Sequence, residues 1–465
     1  MDNKPQSQDK LGTMPIGRLL VVMSVPMMIF MLVQALYNTV DSMFVAHLSE
    51  DALTAVSLAF PFQNAMIAVG VGSGVGVNAL VSRHLGRGDR ETAERTANIQ
   101  VFLSACYTVI FALLGIFLSR WFFELQTDVK VIVDYGTQYL TICCGLSLGM
   151  FYGQNFEKLL VATGNSVLSM VCQGVGAVVN ILLDPVLIFG LGPAPKLGVA
   201  GAAYATVIGQ TIAALLALFF NLRSNKATRF HFRKMKPDWT IIRQIYSIGV
   251  PSMLTVCLNS VMSFGMNKIL LGFSTTAAAV NGVWQRLQYF GFMPVFGLNN
   301  GTIAIYSYNY GARNYDRVKK ALRLALLAGG AVTAAIALVY ELFPQVMLGL
   351  FDASDTMMAI GVTALRICSV SMVFGGLCLV LSSSFQSLGY SGFTLFSNAC
   401  RQMFLPLPAA WLLSKTSVLG NVWFAVLIAE SVTCLISLCI SRFVMRKFRE
   451  RVAAGPPSQT APGRS

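Results

Sequence analysis

Leu19-Leu-Val-Val-Met-Ser-Val-Pro26-Met-Met-Ile-Phe-Met-Leu-Val-Gln34-Ala-Leu-Tyr37-Asn38-Thr-Val-Asp41-Ser-Met-Phe-Val45 is an almost wholly apolar run with a single carboxylate near its end. It is longer than the roughly 20 residues a helix needs to cross a bilayer. Within a bilayer only helices and closed barrels satisfy their own backbone polar groups, and the ~10-residue alternating segments of a barrel are missing from this chain. A helix is expected here. A carboxylate inside it costs roughly 2.5–3.5 kcal/mol on insertion scales, and chains that carry such a charge usually use it for an ion or proton path.

Similar runs recur on both sides of this one, at 17–46, 52–82, 97–119, 131–156, 165–190, 198–222, 244–272, 276–308, 321–349, 357–386, 391–413 and 418–441, twelve expected spans in all. Only 12% of residues are charged and mean hydropathy is +0.65, against about 25% charged in soluble domains. The expected fold class is an all-α polytopic membrane protein with little mass outside the bilayer. By the positive-inside rule, Lys and Arg mark the cytoplasmic loops. One set of loops and tails holds 26 of them, the opposite face holds only Arg120, Lys130, Lys196 and Lys415, and Lys268, Arg286, Arg366 and Arg401 fall within or near spans. Both termini are therefore expected in the cytoplasm, around a cytoplasmic (plasma) membrane protein. The net charge of +14 is spread over separate loops, which excludes a nucleic-acid surface. Met1–Thr13 is polar and leads into a span too long for a cleavable signal, so none is expected. The ten cysteines sit in spans without metal-ligand spacing, and His47, His84 and His231 form no cluster.

The chain repeats itself at an offset of 225 residues: Pro26 falls on Pro251, Ala52 on Ala277, Gln63 on Gln288, Gly72 on Gly297, Gly76 on Gly301, Ser82 on Ser307, Gly86 on Gly311 and Gly164 on Gly389. Duplication of this kind is common in transporters. Six spans return the chain to its starting face, so two parallel lobes are expected, related by a pseudo-two-fold axis along the membrane normal. The tail 1–16, an N-lobe at 17–222, a basic linker at 223–243, a C-lobe at 244–441 and the tail 442–465 make up the expected organisation, with a substrate cleft between the lobes.

The lobes are chemically unequal, because Asp41 has Met266 at its repeat position and Asp184 has Ala409, while Glu430 is the clear intramembrane acid of the second lobe. Asn180-Ile-Leu-Leu-Asp184-Pro185 is the densest motif. Residues four apart share a helix face, and Pro185, lacking an N–H, frees the Ile181 carbonyl. An amide oxygen, a carboxylate and a freed carbonyl suit a proton or a hard cation such as Na⁺ at Asp41, Asn180 and Asp184. Two carboxylates at similar depth favour a shared proton or cation over two bare charges. Gln34, Tyr37 and Asn38 form a polar stripe one and two turns before Asp41, and Gln154 and Asn155 add amides on the fourth span; together they are candidates to line a cavity or to hold helices together. Pro26, Pro185 and Pro251 are candidate hinges. A Walker-type phosphate loop is lacking and no catalytic cluster appears, so neither a self-contained ATP-driven pump nor an enzyme is expected, and no cofactor.

These residues resemble the multidrug and toxic compound extrusion (MATE) family over nearly all of Arg18–Arg446: Pro26, Gln34-Ala-Leu-Tyr-Asn-Thr-Val-Asp41 with Phe44-Val45, Ala52–Pro61, Ser82-Arg-His-Leu-Gly-Arg-Gly-Asp89, Ala162-Thr-Gly-Asn165, Asn180–Pro185 and Gly198-Val-Ala-Gly-Ala-Ala. The resemblance implies a secondary antiporter with alternating access, exporting organic cations and amphipathic drugs against H⁺ or Na⁺. It implies a first-lobe cation site at Asp41, Asn180 and Asp184 with a threonine of the sixth helix, here Thr206. Lacking acids on its seventh, eighth and tenth spans, the chain leans to the bacterial DinF- or MepA-like side. A monomer is expected. The rival reading is a lipid-linked oligosaccharide flippase of the same superfamily, whose cavities are cationic to suit pyrophosphate.

Overall fold

The computed structural model describes residues 7–192, 195–225, 237–351 and 353–454. Residues 226–236 of the linker expected at 223–243, and the outermost parts of the two expected tails, 1–6 and 455–465, therefore lie outside the described residues. The first half of the chain forms α1 (Ser7–Thr13), α2 (Ile16–Ala46), α3 (Glu50–Gly86), α4 (Arg90–Glu124), α5 (Lys130–Gly145), α6 (Leu148–Ala162), α7 (Ser166–Phe189) and α8 (Val199–Ser224). The second half forms α9 (Trp239–Leu271), α10 (Thr275–Gly311), α11 (Tyr315–Leu342), α12 (Pro344–Gly349), α13 (Asp355–Ser387), α14 (Ser391–Ala399), α15 (Pro406–Ser414) and α16 (Leu419–Ala453). Among the described residues there is no strand, and nine helices are long and apolar enough to cross a membrane.

Nine of the twelve expected spans fall on those nine helices and the eighth on α10, outside that set, and the fourth, ninth and eleventh differ instructively. The fourth is two helices, α5 and α6, parted at Leu146-Ser147, and it runs on to Ala162 rather than stopping at 156. This corrects the placement of Lys158 in a loop: Glu157 is 7% exposed and Lys158 9%. The ninth breaks at Phe343, where Pro344 opens α12. The eleventh widens into a π-turn over Cys400–Phe404, with the Leu405 N–H reaching back to the Cys400 carbonyl at 3.1 Å. Pro406, which has no N–H to offer the preceding turn, explains the widening.

The repeat is written into the local structure. Ser49 and Ser274 cap α3 and α10 by accepting from the N–H groups of Ala52 and Ala277, each at 3.0 Å. Asp89 and Asn314 cap α4 and α11 in the same way. The Ser82 hydroxyl donates to the Ala162 carbonyl at 3.1 Å and that of Ser307 to the Ser387 carbonyl at 3.3 Å. Gly164 and Gly389 end their helices with φ of 86° and 89°. Replacing Ser49 or Ser274 with Ala is expected to cost the same ~1 kcal/mol in each case, read as matching falls in thermal midpoint of the purified protein.

Two apolar cores form, and the halves exchange their leading segments to build them. Ile16, Leu20 and Met23 of α2 pack into the second-half core, while Ile241, Ile245 and Ile248 of α9, each 225 residues on, pack into the first-half core. Glycines make this exchange possible. A Cβ on Gly72 would meet the Gly249 carbonyl at 2.9 Å, and one on Gly297 would meet the Met28 backbone at 2.5 Å. A Cβ on Gly76 would meet the Ile245 carbonyl at 2.4 Å, and one on Gly301 the Met23 carbonyl at 2.6 Å. α3 ends at Gly86 and α10 at Gly311, so these contacts lie in the half of each helix nearest the end of the molecule that carries the termini. There Arg317 also ties α1 down, donating to the carbonyls of Leu11 at 3.0 Å and Met14 at 2.8 Å. At the same end Arg451 of α16 donates to the Tyr310 hydroxyl at 2.6 Å.

Candidate functional site

The site is built where α7 and α8 touch backbone to backbone. A Cβ on Gly176 would lie 2.9 Å from the Gly209 carbonyl, and one on Gly209 would lie 2.7 Å from that of Gly176. Small residues permit this approach in a membrane, where helices pack by shape. One turn along α7 the approach brings the Asn180 amide to the Thr206 hydroxyl of α8 at 3.3 Å. A further turn on, Asp184 is fully buried, and neither of its oxygens accepts a hydrogen bond from any described residue. α2 delivers Asp41 to within hydrogen-bonding reach of the Asp184 carboxyl, with Asp41 Oδ1 also buried and unpartnered. The Ser166 hydroxyl, at the start of α7, donates to the Val22 carbonyl of α2 at 3.0 Å and helps hold the two helices together. Tyr37 stands close to both carboxylates.

Beneath the pair lies a cavity of about 140 Å³ between α2, α6, α7 and α8. Gln34, Tyr37, Gln154, Asn180 and Thr206 line it, five of the residues singled out in the sequence. Asn38 is exposed instead, its carbonyl taken by the Ser42 hydroxyl at 2.9 Å. Asn155 turns the other way, bonding Gln100 and Ser104 of α4. α2, α7 and α9 run unbroken through Pro26, Pro185 and Pro251. The sequence reading missed Glu157, Gln173 and Gln210, which also line the cavity, and Tyr139, which lies near Asp41 and receives the Gln63 amide at 3.3 Å.

The donor set is oxygen only. Asp41 Oδ1, both oxygens of Asp184 and Asn180 Oδ1 are all buried without a partner, which fits a proton or a hard cation and not a soft metal. No cluster of three or more His, Cys, Asp or Glu exists among the described residues. The second half is built otherwise. Met266 is buried there and Ala409 half-buried, and Arg401, in the π-turn, faces Glu430 of α16 at 3.8 Å with its guanidinium 5.7 Å from the Phe292 ring. Arg286 and Arg366 are exposed.

Comparison with known proteins identifies the family and the fold. The MatE family profile matches residues 26–186 and again 251–412; the two matches begin at Pro26 and Pro251, the same 225-residue offset as the repeat. Multidrug export protein MepA of Staphylococcus haemolyticus (strain JCSC1435) is 25% identical over 94% of this chain and 94% of its own length. MepA of Staphylococcus aureus (strain MRSA252) is 24% identical over 92% of this chain and 93% of its own. The crystal structure of MATE in complex with MaL6 superposes with a TM-score of 0.88 at 25% identity, covering 95% of this chain and 99% of that one. An outward-facing structure of a multidrug resistance MATE family transporter of the MOP superfamily shares the fold, with a TM-score of 0.89 at 24% identity and covering 97% of this chain and 100% of that one. The duplicated profile match, coincident with the duplicated helices, makes this chain a multi-pass membrane protein of the MatE family.

Proposed function

We propose that this protein is a secondary antiporter that exports organic cations and amphipathic drugs across the cytoplasmic membrane in exchange for H⁺ or Na⁺. The observation that carries the reading is the Asp41–Asp184 pair, with Asp184 fully buried and Asp41 half-buried, its Oδ1 out of solvent and unpartnered, beside Tyr37 at the end of a polar cavity. Two facing carboxylates out of water are poorly tolerated bare, and a proton or cation between them relieves both repulsion and desolvation. Exchange requires that this ion bind the two access states unequally. The backbone contacts at the termini end close that side, the cytoplasmic side by the distribution of Lys and Arg. Opening would then alternate between ends as the two lobes of a monomer rock. The names of the relatives support drug export, and the carboxylates at the cavity favour cations over the pyrophosphate of a lipid-linked oligosaccharide.

The test is uptake of a fluorescent organic cation into inverted vesicles under separately imposed pH and Na⁺ gradients. Uptake driven by either gradient alone supports the reading, and uptake indifferent to both defeats it. Cavity volume gives a second prediction. At Gly153 a Cβ would meet Ala214 at an ordinary 3.5 Å, so Gly153→Leu is accommodated at its base while its branch fills the cavity. Its thermal midpoint is expected within a few degrees of wild type, with export of bulky cations reduced about tenfold or more.

A further inference from the structure

Glu157 and Lys158 are adjacent on α6, and neighbours on a helix point about 100° apart. Here that divergence sends them to different places. Glu157 lines the first-half cavity beside Gln173 of α7. Lys158 turns outward, its stem lying over Gly74 of α3, where a Cβ would come within 3.0 Å of Cγ. Its Nζ donates to Asn300 Oδ1 of α10 at 2.7 Å, a hydrogen bond that crosses from the first half to the second. Asp41 and Asp184 adjoin one end of the cavity, through Tyr37, Asn180 and Thr206, and Glu157 stands on the same wall nearer the termini. The other titratable groups facing Glu157 are Lys158 and the Cys172 thiol of α7. The remaining lining contributes the Tyr37 phenol, the Thr206 hydroxyl and the amides of Gln34, Gln154, Gln173, Asn180 and Gln210.

We propose that Glu157 is a third ion-responsive carboxylate of the first half and that Lys158 transmits its charge state to the interface between the halves through Asn300. The inference rests on the antiport reading and names the residues that connect ion arrival to the closed end. A bare Glu157 offsets the buried ammonium beside it. Once a proton or cation neutralises Glu157, Lys158 is an uncompensated buried charge, a situation that strongly destabilises the packing around it. Relief comes from hydration, which needs α6 and α10 to part at the termini end. An ion entering the cavity thereby loosens the contact that keeps that end shut, biasing the equilibrium between access states. Glu157 would bind the ion, and Lys158 and Asn300 are positioning residues.

The experiment measures spin-label distances between Arg90 and Lys319, both exposed, in full-length protein in lipid nanodiscs. The parent is a variant whose ten cysteines are replaced and which retains export. For the parent, acidification or added Na⁺ is expected to raise the ratio of long to short distances about tenfold. Lys158→Met, which removes the charge that hydration relieves, is expected to abolish the ion-driven rise, Glu157→Asp to keep it, and Glu157→Gln to hold the long population whatever the pH or Na⁺. Asn300→Leu, which keeps both charges, is expected to shift the ratio in the same direction, and Lys158→Met/Asn300→Leu no further than either alone. A full ion response in Glu157→Gln, or additive effects of Lys158→Met and Asn300→Leu, overturns the inference. If Asp41→Asn loses the response while Glu157→Gln keeps it, the antiport reading stands and this inference falls. A parent indifferent to both ions overturns both.

Discussion

Asp41→Asn and Asp184→Asn are each expected to reduce ion-driven export to the background of vesicles lacking the protein, while folding survives. Export fails because a neutral amide has the shape of an occupied carboxylate but can neither take up nor release the ion. The cycle then lacks the two charge states whose unequal preference for the access states couples ion to drug. Folding survives because the pair is a cost in the resting protein. Asp184 is fully buried and both its oxygens lack a donor, and its nearest charged neighbour is another carboxylate. Removing one of two facing like charges relieves repulsion in a low-dielectric setting. The thermal midpoint of either variant should therefore equal or exceed that of wild type. Midpoint and export moving in opposite directions is the signature, since simple misfolding would lower both. Normal export by both variants would remove the pair from the mechanism.

The same pair shows how much of the molecule could be read in advance. A carboxylate in an apolar run stands out because burying it is costly, so Asp41 and Asp184 were legible, and so was the repeat, whose Pro and Gly positions are held by backbone geometry. Glu157 was hidden by its neighbour. An acid followed by a lysine at the edge of an apolar stretch looks like a membrane surface; what makes burial of the two tolerable is their own opposite charge together with partners on other helices, Gln173 for Glu157 and Asn300 for Lys158. Gln154 and Asn155 looked equivalent in the sequence, yet one faces the cavity and the other α4. Adjacent helical positions diverge by about 100°, and which direction meets the cavity depends on where the next helix lies. The exchange of Ile16–Met23 for Ile241–Ile248 was illegible for a related reason. A helix that is apolar all round carries no mark of which core receives it.

Gly86→Ala and Gly311→Ala are expected to open the termini end, and by equal amounts. A Cβ on Gly86 would stand 2.0 Å from the Tyr308 carbonyl, and one on Gly311 would stand 2.0 Å from the Arg83 carbonyl. Positions 86 and 311 are repeat partners, as are 83 and 308, so each substitution drives the same wedge from opposite sides. Neither carbonyl is a flexible tip that can swing aside, so α3 and α10 must separate. Overpacking of this kind typically costs 1–3 kcal/mol, and the better helix propensity of Ala, which acts alike in both access states, leaves that cost on the closed one. A cost of ~1.4 kcal/mol displaces the equilibrium about tenfold towards the state with this end open. The check is the spin-label distance between Arg90 and Lys319 alongside export, with Gly174→Ala as control, since a Cβ there meets nothing within 4 Å. Once one wedge has parted the helices the second finds room, so Gly86→Ala/Gly311→Ala should fall short of the sum of the two single shifts. Strict additivity would mean that the two glycines guard separate contacts, and would break the symmetric account of how this end closes.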